Sequence, residues 1–439
     1  MTAFMGSAIN IALPVIGKEF NSNAVLLGWL ATAYLLTAAV LLVPVGKLSD
    51  IYGRVKFLRF GIIIFSTGSF LCGLSSSDTM LLIFRLIQGT GSAMIFTTST
   101  AILVSVFPAN ERGKVIGINT TAVYVGLSSG PFLGGMISHY FGWRFIFYIT
   151  FILGVIIVSL IFVKLKAEWS EGEDEKFDLS GSVIYILSLT LVMLGLTFLP
   201  AVPGIILLTL GIIVFYVFIK VEEKKVNPVF DVNVFMSSRT FMFSNLAALL
   251  NYSATFALGF LLSIYLQNVK GLSPQYAGFV LVSQPLMMAI FSPLAGKISD
   301  RIEPQIVSSF GMGILTIGLI IFIFLGPGFG LVWIIFNLAF LGFGFALFSS
   351  PNANAIMSSV DKKYYGVASS TLASMRMVGQ MLSMGIVIVI FSIIIGKAEI
   401  SFSNQAEFLN STRLAFIIFS ALSFIGIFAS LSRGKIHNH

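Results

Sequence analysis

Charge is scarce in this sequence. Only 10% of the 439 residues are Asp, Glu, Lys or Arg, where a soluble domain carries about 25%. Cysteine is nearly missing, and the single Cys72 excludes an internal disulfide while saying nothing about redox compartment. Histidine is almost as rare. His139, His437 and His439 have no partners at metal-ligand spacing, so no metal site is expected. No Gly-x-x-x-x-Gly-Lys-Ser/Thr loop is present, which excludes direct drive by ATP through that motif. The 18 acids all lie in connections or near the ends of apolar runs, none deep inside one. No constellation for covalent catalysis and no cofactor motif is found, and an enzyme is not expected.

What the chain does have is apolar surface, with 57% hydrophobic residues and 43 phenylalanines. That composition places it in a bilayer. A spanning helix needs about 20 mostly apolar residues, and fourteen stretches qualify: 1–17, 26–46, 57–75, 80–106, 114–138, 143–163, 179–199, 203–221, 240–265, 275–296, 306–325, 330–350, 366–395 and 413–432. The first lacks the basic start and small-residue cleavage site of a signal peptide, so it reads as a retained span. A net charge of +8 is also the mark of nucleic-acid binders. In a membrane chain it reads instead as the positive-inside signal. With the amino terminus cytoplasmic, nineteen of the 26 Lys and Arg fall in inner connections and five in outer ones, with Arg85 and Arg376 left inside spans. Both termini are therefore expected in the cytoplasm.

One polar stretch occurs twice. Gly46-Lys-Leu-Ser-Asp50-Ile-Tyr-Gly53-Arg54-Val-Lys56 joins two apolar runs, and Gly296-Lys-Ile-Ser-Asp300-Arg301-Ile-Glu-Pro304 does the same in the second half. Gly46 and Gly53 are expected to allow a tight turn there. A repeat of this kind implies two related half-molecules, a habit of transporters. Gly46-x-x-x-Asp50-x-x-Gly53-Arg54 resembles the signature loop between helices 2 and 3 of the major facilitator superfamily. Arg85-x-x-Gln88-Gly89-x-Gly91 resembles its helix 4 motif. Gly126-x-x-x-Gly130-Pro131-x-x-Gly134-Gly135 resembles the helix 5 motif of its drug antiporters, and Trp143-Arg144 opens helix 6 in keeping with the match. Fourteen spans, together with Tyr265-Leu266-Gln267, Gly271-x-Ser273-Pro274 and Ala277-Gly278, resemble the fourteen-helix drug:proton antiporter branch.

The resemblance implies an all-α polytopic fold: a six-helix bundle over residues 1–163, a linker over 164–238 holding two inserted spans (179–199 and 203–221), and a second six-helix bundle with a short tail over 239–439. It also implies roles. The paired hairpins (Gly46, Asp50, Gly53, Arg54; Gly296, Asp300, Arg301) would gate the cytoplasmic side, and Arg85 with Gln88 would gate or relay protons. From the residues alone, the hairpins also read as turns that obey the positive-inside rule. Arg85 also reads as a side chain reaching for the interface. Gly126, Gly130 and Gly134 recur every four residues and form a smooth stripe for close helix packing, and Pro131 permits a bend. Arg376, well inside its span with Gln380 one turn on, is a candidate functional residue because an intramembrane charge is costly. It also reads as a structural cation against carbonyls. Asn10, Tyr124, Asn251, Tyr252, Gln284, Asn352 and Asn354 either line a central cavity or hydrogen-bond between helices.

One departure from the family matters. Related antiporters carry an Asp in helix 1, and Met5 stands near that place in this chain. Without a buried acid, cationic substrates would face Arg376 unpaired, so neutral, amphipathic or anionic solutes are expected. Asp50, Glu19 or His139 would then be left to titrate. The resulting expectation is a monomeric secondary transporter in a prokaryotic cytoplasmic membrane. It would export small hydrophobic or amphipathic compounds, coupled to a proton or other ion. A dedicated metabolite or anion permease and a non-transporting receptor or scaffold are the alternatives.

Overall fold

A computed structural model describes residues 1–107, 112–165, 167–170, 176–299, 301–360, 365–396, 398 and 404–434. Among these the chain is helical throughout, with no β-strand. The first half holds α1 (Thr2–Phe20), α2 (Ala24–Tyr52), α3 (Arg54–Gly73), α4 (Asp78–Val106), α5 (Arg112–Tyr140) and α6 (Arg144–Lys164). Then come α7 (Leu179–Phe198) and α8 (Val202–Glu222), followed by the short α9 (Val232–Ser237). The second half holds α10 (Arg239–Thr255), α11 (Leu258–Ile264), a π-helical turn (Tyr265–Val269), α12 (Pro274–Leu281), α13 (Ser283–Ser299), α14 (Pro304–Ile323), α15 (Leu331–Ser358), α16 (Tyr365–Ile394) and α17 (Gln405–Leu431). Taking α10 to the π turn as one rod and α12–α13 as another, fourteen rods result, in the expected order.

Among the described residues, twelve of the rods are long and apolar enough to cross a membrane. The two that fall short, α1 and α5, are packed on each other and on the second half through α11, α12 and α13. Helices that face protein rather than lipid need less hydrocarbon on their surface. Their polar and small residues, Asn10, Ser7 and the glycines of α5, are permitted by that enclosure.

Local chemistry sets the ends. Asn23 caps α2 by accepting from the Leu26 N–H (2.8 Å), Ser77 caps α4 through Met80 N–H (3.2 Å) and Asp178 caps α7 through Gly181 N–H (2.9 Å). Ser273 caps α12, whose first residue Pro274 has no N–H to leave orphaned. The break between α10 and α11 leaves the Ala257 N–H without a helical acceptor, and Ser383 Oγ of α16 takes it at 3.0 Å.

The packing repeats from half to half. α3 lies on α4 as α14 lies on α15, α2 on α4 as α13 on α15, α1 on α5 as α10 on α16, and α3 on α6 as α14 on α17. Across the seam, α2 meets α16 while α5 meets α12 and α13, which are equivalent pairs under the same repeat. The inserted α7 packs on α8 and against both α2 and α16, so it rides on the seam.

One expectation needs correction. The stretch from Gly46 is not a loop: α2 runs through Asp50 to Tyr52, and the turn is a single residue, Gly53, with φ 111°. That left-handed backbone is where glycine is required. Gly46 is helical and lies in ordinary contact with Thr97. In the second copy α13 likewise continues past Gly296 to Ser299, and Asp300 lies outside the described residues.

Candidate functional site

Both hairpins follow an even-numbered rod, so they share one face of the molecule, here the hairpin end. At the α2–α3 turn, Arg54 is 6% exposed. Its Nε bonds Asp50 Oδ1 at 2.7 Å and its Nη1 reaches Ser105 Oγ of α4. The open amino end of α3 is filled from the segment that follows α6. The Glu168 carboxylate accepts from Val55 N–H (2.6 Å) and Lys56 N–H (3.0 Å), and Trp169 O accepts from Arg54 N–H (3.0 Å). An anion at a helix amino terminus meets both orphan donors and the positive end of the dipole. Nothing in the residues around Glu168 signalled this role.

Within the first bundle, Arg85 does not reach for the interface. It is 1% exposed, donates from Nε to Leu30 O (3.1 Å) and from Nη1 to Gln88 Oε1 (2.5 Å), and lies 4.5 Å over the Tyr34 ring. Gln88 Nε2 then donates to Ser69 Oγ (2.7 Å), and Tyr34 OH meets Ser92 Oγ (2.5 Å). The cation is thereby solvated by α2, α3 and α4 in place of water.

At the opposite, far end the two halves touch. Gly126, Gly130 and Gly134 of α5 face Ala3, Ser7 and Ala8 of α1, as the four-residue stripe requires. Their neighbour Gly135 lies against Pro274 O, and Gly278 of α12 lies against Pro131 O. Phe132 meets Phe279 edge-on at 5.1 Å beside them. On the other side of the seam, Ala24 N–H donates to Ala398 O at 3.1 Å, and Gly28 faces Ile388. A further cross-half bond was not foreseen: Gln267 Nε2, in the π turn, donates to Ile11 O of α1 at 2.9 Å. The wider π turn is marked by Lys270 N–H bonding Tyr265 O, and such turns commonly mark functional positions. A recess of about 430 Å³ opens there between Pro14, Lys18, Gln267 and Leu272.

The proposed cavity residues are carried by helices of both halves. Arg376 lies with its guanidinium carbon 5.2 Å over the Tyr252 ring, and Tyr252 meets Phe345 edge-on at 5.5 Å. Gln284 and Gln380 are half-buried on α13 and α16. Asn10 is 8% exposed and faces the open side of Gly259 across the seam. Asn251 is fully buried, and neither amide atom has a hydrogen-bond partner. The side chain of Tyr124 lies outside the described residues. Asn352 and Asn354 serve packing, donating to Ser244 O (3.2 Å) and Ser299 Oγ (3.3 Å). Met5, near the family's acidic position, is wholly buried in α1.

Two repeated bundles meeting along a seam, with a buried arginine network and glycine-lined crossings, define a membrane transporter of the two-bundle type. The chain belongs to the Major Facilitator Superfamily, whose family model matches residues 1–384 and 246–437. It is 33% identical to the riboflavin transporter RibZ of Clostridioides difficile (strain 630), over 86% of this chain and 82% of that protein. It is 29% identical to the multidrug resistance protein Stp of Mycobacterium tuberculosis, over 84% of this chain and 70% of that one. In shape it resembles a bacterial homolog of the human lysosomal transporter Spinster, solved inward-facing and occupied. That match has a TM-score of 0.66 at 17% identity and covers 98% of this chain and 92% of the other.

Proposed function

We propose that the chain exports small hydrophobic or amphipathic compounds by alternating access, coupled to a proton or other ion gradient, and acts as a monomer. The observation that carries this reading is the seam. Equivalent helix pairs, α2 with α16 and α5 with α12–α13, meet there and can part by rocking of two similar halves. In this reading the halves are residues 1–163 and 239–439, with 164–238 inserted. The hairpin end is cytoplasmic, the loops at Asp50 and Asp300 govern its opening, and Arg85 with Gln88 gates or relays protons. Arg376, Tyr252, Gln380, Gln284, Asn10, Asn251 and Tyr124 contact the substrate. The resemblance to named multidrug proteins supports this reading.

The alternative within transport is a dedicated metabolite or anion permease. Two features favour it: a relative named as a riboflavin transporter, and Arg376 standing over an aromatic ring in a span that holds no acid. Either way, neutral or anionic solutes are preferred over organic cations, because a cation would meet Arg376 in a medium of low dielectric.

Purified full-length chain in liposomes, loaded in turn with neutral, anionic and cationic amphiphiles under an imposed pH gradient, tests the proposal. Gradient-dependent flux of neutral or anionic solutes that falls in Arg376→Gln is the expected result. Preferential movement of organic cations overturns the charge preference. Absence of flux for every class favours a receptor or scaffold.

A further inference from the structure

The sequence offers no acid deep in a span, yet the fold creates one buried carboxyl pair. Asp178, at the start of α7, and Glu222, the last residue of α8, lie 44 positions apart in sequence and meet beside Gly181. Asp178 is 8% and Glu222 1% exposed. Each carboxyl has one oxygen committed elsewhere. Asp178 Oδ1 is held by the Lys225 ammonium and by the Gly181 N–H (2.9 Å), and Glu222 Oε2 accepts from Phe230 N–H (3.0 Å). The other oxygens, Asp178 Oδ2 and Glu222 Oε1, are buried, have no other partner, and converge on the space left by the absent Gly181 side chain. Both free oxygens crowd the one spot where a Gly181 Cβ would stand. Two carboxylate oxygens have no donor between them, so holding them together there needs a proton on one.

We propose that Asp178 and Glu222 form a proton-binding site at the base of the inserted α7–α8 hairpin, and that its occupancy fastens the strap of residues 223–231 to the seam between the halves. The strap starts at Glu222 and is gripped by it through the Phe230 N–H, while Phe230 and Val229 pack in the cluster that joins Leu36 to Val43 of α2 with Met377 and Met381 of α16. Losing the proton sets two carboxylates side by side with, among the described residues, Lys225 to offset them, and their repulsion pushes Glu222 away from Asp178 and off the Phe230 N–H. Among the described residues, the charged groups facing the pair are Asp178, Glu222 and Lys225. The adjoining Lys220 pairs with Glu223 at 2.9 Å on the exposed side. The inference is independent of which solute is carried.

The test uses the full chain in detergent or nanodiscs. Infrared difference spectroscopy follows a protonated carboxyl across the neutral range, while hydrogen exchange, corrected for intrinsic rates, follows the 223–231 backbone. In the wild type the carboxyl band is lost as pH rises, and strap exchange rises about tenfold with it, the weight of roughly one pKa unit. Glu222→Gln supplies an N–H donor there without a titrating proton, so the band and the pH dependence of the strap both vanish. Lys225→Met removes the cation and moves the titration to higher pH. The proposal is overturned if the band survives in Glu222→Gln, or if the strap keeps its wild-type pH profile there. Should Glu222→Gln not fold, an unmoved titration in Lys225→Met overturns it.

Discussion

The two ends of the molecule are held by different physics. At the far end the halves meet at close backbone approaches, with Gly278 on Pro131 O and Gly135 on Pro274 O, and through the Gln267 side-chain amide on Ile11 O. At the hairpin end the α2–α3 turn is bound within its own half by charge, through Arg54 with Asp50 and Ser105 and through Glu168 on the amino end of α3. Steric contacts of the first kind have a steep, short range and tolerate no added atom. Ionic contacts of the second kind can lengthen, take in water and re-form. In the proposed cycle the steric contacts fix where the two halves close, while the ionic ones hold the α2–α3 turn of the first half without locking it.

The strongest way to break that contrast is a methyl group at the far seam. Gly278→Ala drives a Cβ into the Pro131 carbonyl, a backbone atom that cannot swing aside. Overpacking of this kind costs about 1–3 kcal/mol. We expect flux in liposomes to fall about tenfold or more, and spin labels at exposed Tyr140 and Tyr276 to move apart. Unchanged flux and spacing would show that the contact does not control closure.

Next in size is the buried arginine. Arg85→Met deletes a guanidinium that ties α4 to α2 and leaves the buried Gln88 Oε1 without that donor. A loss of about 1–3 kcal/mol is expected, read as a lower midpoint in thermal unfolding. No drop in the midpoint would mean that the network contributes nothing to stability.

The hairpin should respond more gently. Glu168→Gln leaves one acceptor oxygen where there were two and removes the charge at the α3 terminus; the charge accounts for about 0.3–1 kcal/mol, and that part should shrink in high salt. A salt-independent effect would argue for packing instead.

The smallest effect is expected at the other ionic clasp, where Arg144 Nη2 meets Glu19 Oε1 at 2.7 Å while Trp143 Nε1 donates to Glu19 Oε2. Both charged side chains are about a third exposed, 33% and 40%. A double-mutant cycle should therefore return only about 0.2–1 kcal/mol. A coupling well above that range would show that the far end also relies on charge.

Much of this architecture was legible beforehand, because lipid imposes simple rules. Fourteen apolar runs became fourteen rods in the order and nearly the bounds read from the residues, and the four-residue glycine stripe packed as its period demands. Arg85 illustrates the limit. Its depth was readable, but whether it reached for water or was enclosed depended on Leu30, Tyr34 and Ser69 from other helices. Candidate cavity residues fared similarly: Asn352 and Asn354 went to helix packing, while Arg376 and Tyr252 came together.

Composition and periodicity by themselves determined that the chain is a multi-span membrane protein and that it is built of two similar halves. Those properties follow from local hydrocarbon content and from a repeated motif, both written along the chain. Tertiary structure alone decided that the polar stretch after Gly46 is mostly helix turning on Gly53, that Glu168 plugs α3, and that Asp178 and Glu222 share a niche beside Gly181. Each of these joins groups from separate elements. Pairing across such distances is set by how helices cross, which no single stretch encodes.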